Sequence, residues 1–208
     1  MYDHQIAATD KPTLYADLLA ALDGLTAGEP DAIANMANAA ALLFETLPDL
    51  NWAGFYRNVG GELVLGPFQG RAACIRIPFG RGVCGSAAAT LQVQRVDDVH
   101  AFPGHIACDA ASASELVVPI VRDGQLIAVL DLDSPLTARF DAADEAGCVA
   151  ICGLLGAALN VCRPAARTRS YCAIAGTVGV ALVTVEAGIV FVSAPRSKSA
   201  CSIRSKAT

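Results

Sequence analysis

Cys74, Cys84 and Cys108 stand ten and twenty-four residues apart in a stretch rich in glycine, proline and small residues. Thiols in such surroundings can act as nucleophiles or as redox partners of one another. Cys84 follows Phe79-Gly80-Arg81-Gly82 and precedes Gly85-Ser86 at an expected helix start. Free backbone N–H groups and the helix dipole at that place favour a thiolate. Cys108 follows Pro103-Gly104-His105 and precedes Asp109 in a loop, free to approach a substrate and then a second thiol. Three unrelated free thiols is the competing interpretation, and spacing alone does not separate the two. The other five of the eight cysteines look inert. Cys148 and Cys152 share one face of an apolar helix, as buried small hydrophobes do. Cys162, Cys172 and Cys201 lie beyond the compact part and have no partner motif. No C-x-x-C pair occurs and the three histidines are scattered, so no metal centre is expected.

A second constellation is acidic. Asp131 and Asp133 flank Leu132 in an apolar strand and therefore point to one face. Paired acids there suit a ligand's cation, a proton transfer or a metal, against turn capping beside Ser134-Pro135 as the alternative. Glu115 joins them if its strand pairs alongside. Trp52, the only tryptophan, is either a core residue or the apolar wall of a pocket.

The elements that must hold these residues can be read in order. Asp10, Lys11 and Pro12 open a helix with Leu14, Leu18, Leu19 and Leu22 on one face and Gly24 as its stop. A second helix spans about Asp31 to Leu47. Trp52, Gly54 and Tyr56 alternate with Ala53, Phe55 and Arg57, and Gly60-Gly61 turns this strand into Leu63-Val64-Leu65. A strand over 73–78, a short helix over 83–90 and an aperiodic loop over 97–114 follow; a loop that long is usually functional. Leu116 to Val121 and Leu126 to Leu132 form a hairpin about Asp123-Gly124. A helix from about Asp141 to Asn160 closes the array. Helices, antiparallel hairpins and a closing helix predict an α+β fold with a sheet between helices.

A chain of 208 residues with 54% apolar residues, 17% charged residues and a net charge of −5 suits one domain plus an appendage. That acidic balance argues against nucleic acid as a partner. No signal peptide is visible, and cytoplasmic thiols held reduced are expected. We divide the chain into a catalytic domain over 1–162 and a C-terminal extension over 163–208. The extension is basic at first, then apolar over 172–194, with Val183 to Val185 and Ile189 to Val192 as a hairpin. Glu186 in that run disfavours a membrane span, because a carboxylate at mid-bilayer is costly.

With these residues on the page, the sequence resembles the GAF-domain free methionine-(R)-sulfoxide reductases. The similarity is carried by Asn51-Trp52-Ala53-Gly54-Phe55-Tyr56, LGPFQG at 65–70, Cys74, IPFGRGVCG at 77–85, DVHAFPGHIACDA at 98–110, Ser114-Glu115 and LDLDSP at 130–135. It covers roughly residues 12–160 and does not extend to 163–208. The resemblance implies a GAF-like antiparallel sheet of about six strands flanked by helices. It also implies Cys108 as nucleophile, Cys74 as the main resolving cysteine and Cys84 as a secondary one. Trp52 would pack against the thioether end of the substrate, and Glu115, Asp131 and Asp133 would bind the free amino acid and polarise the sulfoxide.

The chemistry is coherent with those roles. Thiolate attack on sulfoxide sulfur needs the departing oxygen protonated, and a carboxyl kept neutral among like charges can supply that proton. A Cys108 sulfenic acid then condenses with Cys74, and an external dithiol such as thioredoxin reduces the disulfide. No bound cofactor is required. The rival interpretation is a GAF module that senses a small molecule or an oxidant without turnover; three cysteines together with three acids disfavour it, since a sensor needs no proton donor. Homodimerisation is left open by the sequence.

Overall fold

The computed structural model describes residues 8, 10–106 and 110–158, and the backbone of 173–174, 180–185 and 188–193. The chain forms two compact units, Met1–Val161 and Cys162–Thr208.

In the first unit, α1 (Lys11–Thr26) starts where Asp10 accepts a hydrogen bond from the Thr13 N–H at 3.0 Å. Gly24 does not stop it. The helix runs one half-turn further, and the Thr26 hydroxyl bonds back to the Leu22 carbonyl at 2.8 Å. Tertiary burial of Leu22 and Thr26 outweighs a glycine that costs only about 1 kcal/mol in a helix. Asp31 caps α2 (Ala32–Thr46) by accepting from the Ile33 and Ala34 N–H groups. The strands β1 (Trp52–Asn58), β2 (Glu62–Gly70), β3 (Arg76–Pro78), β4 (Gln94–Val96), β5 (Ser114–Arg122) and β6 (Gln125–Ser134) form one antiparallel sheet, ordered β3-β2-β1-β6-β5-β4. The helix α3 (Gly82–Thr90) lies between β3 and β4, and α4 (Ala142–Ala158) follows β6.

Period-two alternation sorts the strands onto two faces. Ala53 and Phe55, Leu116, Val118 and Ile120, and Leu130 and Leu132 join the core built with α1, α2 and α4. Trp52 and Tyr56, Val117 and Val129 turn the other way, into a core shared with α3. The α+β class and the sheet between helices are thus as expected. Strand β4, three residues at the sheet edge, has no alternating apolar pattern and was not anticipated.

At the base of α1 and α4 the Asp144 carboxylate is fully buried. It accepts from the Lys11 ammonium, the Tyr15 hydroxyl at 2.9 Å, the Arg139 guanidinium at 3.1 Å and the Asp141 N–H at 2.9 Å. This network ties the first helix to the last.

In the second unit the backbone of β7 (Ala173–Ile174), β8 (Val180–Val185) and β9 (Gly188–Ser193) forms an antiparallel three-stranded sheet in that order. The expected hairpin is present. Glu186, Cys162, Cys172 and Cys201 lie outside the described residues. Among the described residues, no helix is long and apolar enough to cross a membrane.

Candidate active site

The site lies on the α3 side of the sheet, and strand register assembles it. Glu115 on β5 pairs with Asp133 on β6, which pairs in turn with Trp52 on β1; Asp131 pairs with Gly54 and Val117. Residues paired across strands share a face, so Glu115, Asp131, Asp133 and Trp52 emerge together. Gly54 leaves space there. A Cβ at this position would sit 2.4 Å from Phe68 Cβ and 2.7 Å from Trp52 Cη2. The indole instead stacks on Phe68, at 5.3 Å between centroids, and on Tyr56, at 5.8 Å, and its N–H donates to the Arg71 carbonyl at 3.1 Å.

Helix α3 lowers Cys84 onto the acids. Its first turn docks so closely on the preceding turn that a Cβ at Gly85 would lie 2.5 Å from the Pro78 carbonyl oxygen. Cys84 is the third residue of the helix and is buried. Its thiol donates to Glu115 Oε1 at 3.7 Å, and one donor atom each from Cys84, Glu115 and Asp131 all lie within 4.8 Å of one another. A cavity of about 30 Å³ opens beside them, lined also by Asp133, by Arg81 at the N-cap of α3, and by His105, Ile106 and Ser112 from the loop between β4 and β5. That loop is anchored by the buried Val99, whose N–H donates to the Ala113 carbonyl at 2.9 Å.

Burial governs the electrostatics. The Glu115 carboxyl is pushed well above the usual carboxylate range, first by loss of water and then by the charges of Asp131 and Asp133. Burial raises Asp131 to about 6, against the opposing pull of polar contacts with Cys84 and Glu115. Asp131 thus ionises only through about pH 6, and Glu115 holds its proton above the usual carboxylate range, in both cases through desolvation more than like-charge repulsion. The expectation that the helix start favours a thiolate at Cys84 is reversed by its surroundings. Burial and then the Asp131 and Glu115 charges push its thiol well above the ordinary value, outweighing the helix N-terminus. Burial, followed by the Asp131 and Cys84 charges, also raises the Tyr56 phenol, which is therefore a neutral neighbour of the cluster.

The structure thus brings together Cys84, Glu115, Asp131 and Asp133, with Trp52 stacked alongside but not part of the cavity wall. Cys74, half-buried between β2 and β3, is disulfide-bonded. The described cysteines Cys84, Cys148 and Cys152 are free. Cys108 lies outside the described residues, and its neighbours Ile106 and Ala110 bracket it in sequence. Sequence reasoning missed Tyr56 and Ser112 as parts of the site. The Trp52-Gly54-Tyr56 alternation already placed Tyr56 on the right face. Ser112, buried and accepting from Asn51 Nδ2 at 3.0 Å, carried no such signal.

Comparison with known proteins bears on the fold and the family. The family model for the GAF domain matches residues 27–160. The free methionine-R-sulfoxide reductase of Escherichia coli is 57% identical over 138 residues, covering 66% of this chain and 84% of that protein. Its Saccharomyces cerevisiae counterpart is 43% identical over 144 residues, covering 65% and 80%. The X-ray structure of the Neisseria meningitidis free methionine-R-sulfoxide reductase in complex with its substrate aligns at TM-score 0.73 and 45% identity, covering 76% of this chain and 95% of that one. Fold and sequence agree, and the chain belongs to the GAF-domain family of free methionine-R-sulfoxide reductases.

Proposed function

We propose that the protein reduces free methionine-(R)-sulfoxide to methionine, with Cys108 as nucleophile, Cys74 as resolving cysteine and thioredoxin as the external reductant. The observation that carries this is the buried cluster of Cys84, Glu115 and Asp131 at the wall of the cavity, where burial raises both carboxyls above the usual carboxylate range. A sulfoxide oxygen is a poor leaving group until it is protonated, and a proton held by a buried acid at neutral pH is available for that step.

Attack of the Cys108 thiolate on sulfoxide sulfur forms the S–S link to substrate as the oxygen takes the acid's proton. The S–S link then breaks as the hydroxyl passes from the substrate sulfur to the cysteine sulfur, releasing methionine and leaving a Cys108 sulfenic acid, the cysteine being oxidised as the sulfoxide is reduced. The Cys74 thiol then displaces water from that sulfenic acid to form a disulfide, which a dithiol reduces by exchange. The disulfide state of Cys74 supports its redox role. Cys84, neutral and hydrogen-bonded to Glu115, is suited to a secondary resolving role after a proton is lost. Asp133 and the ionised Asp131 face an ammonium group, which favours a free amino acid over a residue inside a peptide. Trp52, held by its stack, backs the thioether end.

The test is turnover. Reduced protein with thioredoxin, thioredoxin reductase and NADPH should consume NADPH on addition of free methionine sulfoxide, the R epimer preferentially. Cys108→Ser should abolish this, while Cys152→Ser, buried against the Val118 carbonyl, should leave it nearly intact. Absence of turnover with both thioredoxin and dithiothreitol would return the chain to a non-catalytic GAF sensor. Turnover with dithiothreitol alone would reject only the thioredoxin assignment.

A further inference from the structure

The geometry points to a second use of the acid cluster: a binding site for a soft divalent cation, zinc, held by Cys84, Glu115 and Asp131. All three side chains are buried, and one donor atom of each lies within 4.8 Å of the other two. The Cys84 Sγ to Glu115 Oε1 separation is 3.7 Å. Tetrahedral zinc, with Zn–S about 2.3 Å and Zn–O about 2.0 Å, spans a sulfur-to-oxygen edge of about 3.5 Å. That edge is already close to the required length.

Asp131 supplies an observation independent of spacing. The residue is 6% exposed, lines the cavity, and its Oδ1 is buried with no hydrogen-bond partner among the described residues. A buried acceptor left unsatisfied carries a desolvation penalty, and a bond to a cation removes it. The adjoining cavity of about 30 Å³ has room for water as the fourth ligand. One thiolate with two carboxylates suits zinc or cadmium, whereas magnesium and calcium take oxygen donors alone.

Binding is an exchange of protons for metal. The Cys84 S–H bond breaks, its electron pair goes to the cation, and its proton leaves to solvent with any proton shared by the two carboxyls. Nothing is oxidised or reduced. The site is not that of a resident cofactor, since the same groups hold the proton in the reduction proposed above. Zinc in it displaces that proton source, a consequence that rests on the proposed function; the binding itself does not.

Cadmium chloride is the probe, titrated into the full chain with its Cys74 disulfide intact. Ultraviolet sulfur-to-cadmium charge-transfer absorption is compared between the wild type and Cys84→Ser. The expected result is a saturable component of one cadmium per chain in the wild type, lost in Cys84→Ser and at least tenfold weaker in Asp131→Asn. Cadmium-113 NMR of the wild type reads the donor set with no substitution at all, and should show one thiolate with oxygen donors. Equal absorption in wild type and Cys84→Ser overturns the site, as does a cadmium-113 signal only from sites with two or more thiolates. Neither readout needs turnover, so loss of the reductase assignment would leave this result separately readable.

Discussion

Replacing Asp131 by asparagine should stabilise the protein at neutral pH while impairing its chemistry. Burial raises the Asp131 carboxyl from 3.8 to about 6. A rise of about two units corresponds to about 3 kcal/mol of free energy withheld from folding once the group is ionised. The sign follows from the folded value lying above the unfolded one. The neutral carboxyl's contribution is fully present below about pH 4 and is lost as pH rises through about 6. Glu115, raised in the same direction, adds to the trend. Asparagine cannot ionise, so the stability of Asp131→Asn relative to wild type should improve by about 3 kcal/mol between about pH 4 and about pH 8. Urea unfolding followed by the fluorescence of Trp52, the only tryptophan, reports the unit that contains the site. Titrations outside the cluster cancel in the difference between the two proteins, whereas Glu115, Cys84 and Tyr56 sense the Asp131 charge and shift with it. A difference that is flat across that pH range, or that narrows as pH rises, would refute the argument that ionised Asp131 is buried at a cost.

Three further perturbations bear on separate parts of the structure. Gly54→Ala would place a methyl 2.4 Å from Phe68 Cβ and against the Trp52 ring, so it should destabilise by about 1–3 kcal/mol and raise KM. An unchanged KM in folded Gly54→Ala would show that the Trp52 stack does not back the substrate's thioether end. Asp144→Asn should lower the urea midpoint, by an amount equivalent to about 3–5 kcal/mol, because Lys11 and Arg139 lose a buried carboxylate partner. Its kcat should stay near wild type, and a large fall in kcat in the folded protein would contradict a structural role. Residues 1–161 alone should unfold at the same urea midpoint by Trp52 fluorescence as the full chain, and a markedly lower midpoint would show that the first unit depends on the second.

What could be read from sequence was whatever depends on local period. Asp10 and Asp31 as caps, the Trp52-Gly54-Tyr56 alternation and the shared face of Asp131 and Asp133 all follow from residues adjacent in the chain. What could not be read depends on contacts made across the fold. Gly24 looks like a helix stop until the burial of Leu22 and Thr26 is known. Glu115 reaches the other acids only through its register with Asp133, which no local pattern encodes. Cys84 shows the difference most sharply. Its place in the first turn of a helix argues for an activated thiol, whereas its burial above two carboxyls makes it a poor thiolate.

The two faces of the sheet are therefore built to opposite criteria. On one, Phe55, Leu116, Leu130 and Leu132 are fully buried against α1, α2 and α4, and a buried carboxylate there, Asp144, has its charge matched by Lys11 and Arg139. On the other, Glu115 and Asp131 are buried together, and neither has an ion pair among the described residues. A cation beside them would stabilise the fold but would also hold both acids ionised. Leaving that partner out weakens the folded state by the amount the Asp131→Asn comparison measures. It also raises the Glu115 carboxyl above the usual carboxylate range, as the proposed protonation of a sulfoxide oxygen requires. The helical face supplies the stability that offsets this strained one, which is the pattern expected where a site's chemistry depends on groups the fold would otherwise neutralise.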